Sequence, residues 1–238
     1  MSRTTGLLIS FTRCNVPAME PEWDRWYDEV HLPDLLRYPG APWVASRWEL
    51  TQKPTPGMPG IGFSYVTIYE LDEPDVPAQV ERLLSRDLKL RRDRAIHPNH
   101  AVVDAQMFVA HGTHRAKTEP SAQLNGHILT YVLCNQPDRE REWDEWYDRE
   151  HVPDMMDSDG AFWAMSRWER VPRSPYGANY ITLYDIKSPT VEEAVEKSSL
   201  ALKKLTAAGR KHPCHTGAMT VTLKPSGMHR AGLRRDEL

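Results

Sequence analysis

Residues 22–50, EWDRWYDEVHLPDLLRYPGAPWVASRWEL, come back as residues 142–170, EWDEWYDREHVPDMMDSDGAFWAMSRWER. The two stretches align without a gap at an offset of 120, and an internal repeat decides the architecture before any local pattern does. Upstream the register holds: Gly6, Cys14 and Asn15 match Gly126, Cys134 and Asn135. Downstream the offset is 115, so that Tyr65, Thr67 and Tyr69 match Tyr180, Thr182 and Tyr184. His97-Pro98-x-His100 likewise matches His212-Pro213-x-His215, and Gly112-x-His114-Arg115-Ala116 matches Gly227-x-His229-Arg230-Ala231. The five-residue change falls in the Pro/Gly-rich stretch 51–64, where a loop absorbs it. The chain therefore reads as two modules of roughly 110 residues, a common domain size. The expected boundaries are 1–112 for the first repeat, 113–125 for a polar linker and 126–238 for the second.

Within one module, Gly6–Arg13 is a short apolar run and reads as a strand. Met19–His31 reads as a helix that Pro33 kinks or ends. Trp43–Thr51 and Phe63–Leu71 read as paired strands, Asp72–Ile96 as a second helix and Asn99–Ala110 as a last strand. The order β-α-β-β-α-β predicts an α+β class, with two ferredoxin-like units packed sheet to sheet as an intrachain α+β barrel. In the third strand Val66 and Ile68 alternate with Tyr65, Thr67 and Tyr69. The expectation is that the aliphatic set faces the helices and the tyrosine set faces a second sheet. Such a pseudo-dimer leaves room for a further homodimer.

Composition excludes several classes. A net charge of −3 with interspersed signs gives no basic stripe, so nucleic-acid binding is not expected. No apolar run reaches the roughly 18 residues of a membrane span. The N-terminal segment lacks the features of a secretory signal, and the terminal Arg235-Asp236-Glu237-Leu238 is read as a chance likeness to a retention tail. Three cysteines without a CxxC pair fit a reducing compartment, so a soluble, cytoplasmic protein is expected.

Comparing the copies filters the first helix. Glu22, Trp23, Asp24, Trp26, Tyr27, Asp28 and His31 are retained, whereas Arg25, Glu29 and Val30 become Glu145, Arg149 and Glu150. On a helix, the changed positions fall on one arc and Trp23, Tyr27 and His31 stack on the other. The changed arc is read as solvent, the retained one as packed. A histidine with Tyr27, Asp28 and Asp24 on the preceding turns is a candidate general base, the competing reading being a helix-end histidine that satisfies carbonyls. His97 and His100 read first as a turn, with pocket or metal roles behind it; no third and fourth ligand accompanies them, so no metal is expected. Arg47 and Arg167 either pair with a carboxylate such as Glu49 or anchor a substrate oxyanion. The tryptophans read as core that can also line a site for a flat aromatic ligand.

The segment Trp26-Tyr27-Asp28-x-x-His31-x-Pro33-Asp34, repeated as Trp146-Tyr147-Asp148-x-x-His151-x-Pro153-Asp154, resembles the W-Y-x-x-x-H-x-P signature of the EthD-like branch of the dimeric α+β-barrel superfamily. The resemblance implies small, often cofactor-free chemistry on aromatic, polyketide or lactone substrates, while other branches bind haem. It raises His31 and His151 to expected catalytic residues, with Tyr27 and Tyr147 beside them. Arg47, Arg167, Trp23, Trp143, Asp28, Asp148, His100 and His215 complete the candidate substrate-binding set. The leading expectation is a lyase or isomerase with no cofactor, acting on a small-molecule substrate, and a cofactor-free oxygenase is a close variant. The alternatives are a non-enzymatic binding module and a haem protein with His97, His100 or their copies as axial ligand.

Overall fold

The computed structural model describes residues 4–52, 62–112, 115–116 and 124–226. The chain divides into two compact units, the first running to Ala110 and joined by Pro225 and Ser226, the second spanning His111–Lys224. The motif ends His114 and Gly227–Ala231, the tail Arg235–Leu238 and most of the linker lie outside the described residues.

In the first unit, β1 (Gly6–Cys14) leads to the helical pair α1 (Glu20–Trp26) and α2 (Leu32–Leu36), then β2 (Val44–Leu50), β3 (Tyr65–Leu71), α3 (Val76–Arg92) and β4 (His100–Ala110). The strands are antiparallel in the order β4-β1-β3-β2, which is the split βαββαβ arrangement expected. The second unit repeats it with β6 (His127–Cys134), α4 (Glu140–Trp146), α5 (Val152–Met156), β7 (Phe162–Arg170), β8 (Tyr180–Ile186), α6 (Val191–Ala207) and β9 (His215–Pro225), ordered β9-β6-β8-β7. Inside the expected linker, Arg115–Ala116 form a short strand, β5, pairing with Met165 and Ala164 of β7. The polar composition of this stretch hid that pairing, because a ladder uses backbone groups that any side chain leaves available.

Pro33 does not end the first helix. Between α1 and α2 the turn Tyr27–His31 is a π turn, in which the Leu32 N–H reaches back five residues to the Tyr27 carbonyl. Proline has no N–H to give, and its ring crowds the carbonyl four residues back, so a widened turn carries the helix through to Leu36. Tyr147–His151 does the same ahead of Pro153. Helices α3 and α6 start at side-chain caps, Asp75 accepting from the Ala78 N–H and Thr190 from the Glu193 N–H.

The face assignment of β3 is reversed relative to expectation. Tyr65 and Tyr69 pack with Trp23, Tyr27, Leu32, Leu35 and Leu83, which places the tyrosine set under the helices. Val66 and Ile68 are buried on the opposite face. The reason lies in the helix, whose retained side is itself aromatic and polar: Tyr27 needs a hydroxyl partner, and Thr67 supplies it at 2.8 Å. Tyr180, Thr182 and Tyr184 repeat this in the second unit. As expected, Trp23, Tyr27 and His31 are buried, and Arg25, Glu29 and Val30 are exposed; Glu22, although retained, is exposed at the start of the helix. Removing either central tryptophan, Trp23 or Trp143, would cost about 3–5 kcal/mol on the scale of buried aromatic truncations.

Candidate active site

The π turns bring the motif side chains against the sheet. Tyr147 donates to or accepts from Thr182 Oγ1 at 2.7 Å, and its ring meets that of His151 at 4.6 Å between centroids. The first residue of β9, His215, lies 5.4 Å from His151 between ring centroids. Its Nδ1 accepts the indole N–H of Trp143 at 3.2 Å. The first unit repeats the set, with Trp23 donating to His100 Nδ1 at 3.3 Å and the His31 and His100 rings 5.3 Å apart. With Nδ1 accepting, the neutral rings of His100 and His215 carry their proton on Nε2.

Burial decides the charge of these rings. It lowers His151 to about 3, with His215 and Arg167 adding repulsion, and lowers His100 to about 3, with Arg91 and His97 adding. Burial also lowers His215 to about 4 and drives His31 well below the ordinary histidine range. All four are therefore neutral near pH 7. Among the described residues, His31 Nδ1 and His100 Nε2 are buried without a protein partner. Burial raises Tyr27 and Tyr147 above the ordinary tyrosine range, so neither is a resting phenolate.

The expected histidine–carboxylate pair does not form, because the arginines take the carboxylates. Arg47 reaches Asp24 and, at 3.1 Å, Asp28; Arg167 reaches Asp144 at 2.7 Å and Asp148 at 2.5 Å. Glu49 is not among these partners. A planar guanidinium can serve two carboxylates at once, and burial, which opposes its charge, is outweighed by them. Each guanidinium also lies on an aromatic face, Arg47 4.7 Å from the Tyr27 centroid and Arg167 4.2 Å from that of Tyr147.

In the second unit a cavity of about 350 Å³ opens between α6, the motif helix and the sheet. That volume is at the lower end of small-molecule sites. Tyr147, His151 and His215 line it; Arg167, Asp148 and Trp143 do not, and form the layer behind Tyr147. Its walls are largely apolar, from Ile128, Val132, Met155, Phe162 and Leu205, with Trp146 and Tyr184 among the aromatics. At the cavity's edge, Arg210 holds Asp154 through two contacts of 2.8 and 3.0 Å. Sequence reading missed this helix wall, including Ser198, because comparing the copies rewards only positions that stay alike. It missed His111 for the same reason: the residue pairs with Asp144 at 2.9 Å, and the position that corresponds to it at the offset of 115 is Ser226.

The HPxH segments are turns. His97 Nδ1 accepts from the Asn99 N–H and His212 Nδ1 from the Cys214 N–H, both at 3.2 Å. Among the described residues no group of three or more His, Cys, Asp or Glu is arranged to hold a metal. The haem reading fits these residues poorly. His97, His100, His212 and His215 all spend Nδ1 as an acceptor, which leaves a proton on Nε2 where an axial ligand needs a lone pair.

No protein-family model and no curated protein matches the chain by sequence. Solved structures do match it over both repeats. A mutant chlorite dismutase from Candidatus Nitrospira defluvii in complex with cyanide is 10% identical, with a TM-score of 0.61 over 96% of this chain and 93% of that one. An anthrone oxidase-like protein is 11% identical, with a TM-score of 0.54 over 97% and 94%. A candidate monooxygenase from Fusobacterium nucleatum is 10% identical, with a TM-score of 0.54 over 96% of each chain. The chain thus has the α+β fold of these barrel proteins, a likeness of fold alone. Among the described residues no helix is long and apolar enough to cross a membrane.

Proposed function

We propose that the second repeat binds a flat, largely apolar small molecule bearing a carbonyl or phenol oxygen, and transfers a proton at a carbon activated by that oxygen, without a cofactor. The observation that carries this reading is the meeting of two neutral histidines, His151 and His215, in the wall of a mostly apolar cavity of about 350 Å³. Neutral imidazoles are what such chemistry uses: one N–H to hold the oxygen and one lone pair to take the proton. The enzyme reading is also supported, at the level of the fold, by neighbours described as oxidase-like, dismutase and monooxygenase proteins.

In this reading His215 Nε2–H donates to the substrate oxygen. The His151 imidazole takes the proton from carbon, and the C–H electron pair moves onto the oxygen as an enolate. A ring held near pKa 3 is a weak base at rest. The anion forming beside it raises its proton affinity, because the ion pair is strongly coupled in a site of low dielectric. Return of the proton to a different carbon completes an isomerisation; loss of carbon dioxide from a β-keto acid leaves the same enolate and makes the protein a lyase. Reaction of that carbanion with dioxygen is the oxygenase variant. Tyr147 shapes the floor, and Arg167, behind it, fixes the tyrosine ring and two carboxylates instead of touching substrate.

A non-enzymatic binding module would use the same cavity. Native mass spectrometry of the purified protein, followed by identification of any released compound, tests the binding half of the proposal. An aromatic carbonyl or phenol at one per chain supports it. A retained macrocycle with visible absorbance would replace it with the haem reading.

A further inference from the structure

The two repeats share their motif residues, so the difference between them lies in what packs against those residues. At the offset of 115, Leu83 of α3 corresponds to Ser198 of α6. Leu83 is buried in the first core beside Tyr27, Tyr69, Leu35 and Leu90. Ser198 instead lines the cavity, its hydroxyl turned back to the Val195 carbonyl at 3.0 Å. The neighbouring positions follow suit. Val80 and Leu90 are buried core, whereas their counterparts Val195 and Leu205 are only partly buried. One turn on, the Asp87–Arg91 ion pair at 2.6 Å stands where the second repeat has Leu202 and Thr206, both on the cavity wall. A leucine side chain is two heavy atoms larger than a serine, and in the first repeat that extra bulk is packed into the core.

We propose that Leu83 plugs the first repeat and that Ser198 is the residue that admits ligand to the second, so that the chain holds one working cavity over two near-identical His–Tyr clusters. The inference rests on the ligand-site reading above. Ser198 shares the cavity wall with His151 and His215, so a larger residue there takes up room that a flat ring beside that pair would use.

Two measurements on the full chain test it. The first is packing. Ser198→Leu should leave the melting temperature unchanged or raise it, because the new side chain enters open space. Leu83→Ala should lower it by about 5 °C or more, as a truncated buried leucine does. If Ser198→Leu is as damaging as overpacking a filled core, the asymmetry is wrong. The second is equilibrium dialysis with 1-naphthol, a flat aromatic phenol. One molecule per chain should bind, Ser198→Leu should weaken binding at least tenfold, and Leu83→Phe should leave it unchanged. Two equivalent sites in the unaltered protein, or full affinity in Ser198→Leu, would overturn the proposal. Absence of naphthol binding with the packing results as stated would instead remove the ligand-site reading and leave the plug standing.

Discussion

Trp143 gives its indole N–H to Nδ1 of His215 at 3.2 Å, and Trp23 does the same for His100 at 3.3 Å. The two residues of each pair are more than seventy positions apart, so this contact ties the motif helix to the start of the last strand. It also fixes a tautomer, since an accepting Nδ1 forces the proton onto Nε2.

Trp143→Phe should therefore change His215 without unfolding the site. In imidazole ¹⁵N spectra the unaltered protein should show the Nε2–H form at His215, and the variant a mixture of tautomers. An unchanged spectrum in Trp143→Phe would mean the indole does not set the ring.

Acid should destabilise the fold through the same histidines. Their folded values, about 3 for His100 and His151 and about 4 for His215, lie below the ordinary value of 6.5. The unfolded chain thus binds more protons between about pH 6.5 and pH 3, so stability is full above that window and falls as pH drops through it. Each ring contributes up to about 1.4 kcal/mol per pH unit. Urea midpoints measured from pH 7.5 to 4.5 should decline, and His151→Gln should flatten the slope. A slope identical in the variant would mean His151 is already accessible to protons.

The buried arginines should matter to stability more than to turnover. Arg47 has no exposed side-chain surface, and its removal takes away the guanidinium that Asp24 and Asp28 share. Arg47→Met should cost about 3–5 kcal/mol in chemical denaturation, and Arg47→Lys should recover only part, because an ammonium cannot reach both carboxylates in the plane of a fork. A loss below about 1 kcal/mol would show the pair to be solvent-screened.

The duplication made much of this readable from sequence. Retained against changed positions separated buried Trp23, Tyr27 and His31 from exposed Arg25, Glu29 and Val30, and the βαββαβ order followed from apolar runs. What escaped depended on partners distant in sequence. Period two divides the Tyr65 set from the Val66 set but does not say which face the helices cover; the Tyr27–Thr67 hydrogen bond decides that. Neighbouring residues on one helix suggested that Asp28 would hold His31, yet Arg47 of the next strand claims it. Ser198 was invisible because its importance lies in differing from Leu83.

Everything proposed for the cavity turns on proton transfer at the His151–His215 pair. It is tested most directly by deuterium exchange into anthrone, a flat aromatic ketone with acidic methylene protons, followed by NMR in D₂O with the unaltered protein and with His151→Gln and His31→Gln. Exchange above the buffer rate is expected, with a fall of about 100-fold or more in folded His151→Gln, the usual worth of acid–base assistance, and no fall in His31→Gln. Exchange that never exceeds buffer, or that survives His151→Gln unchanged, would contradict it.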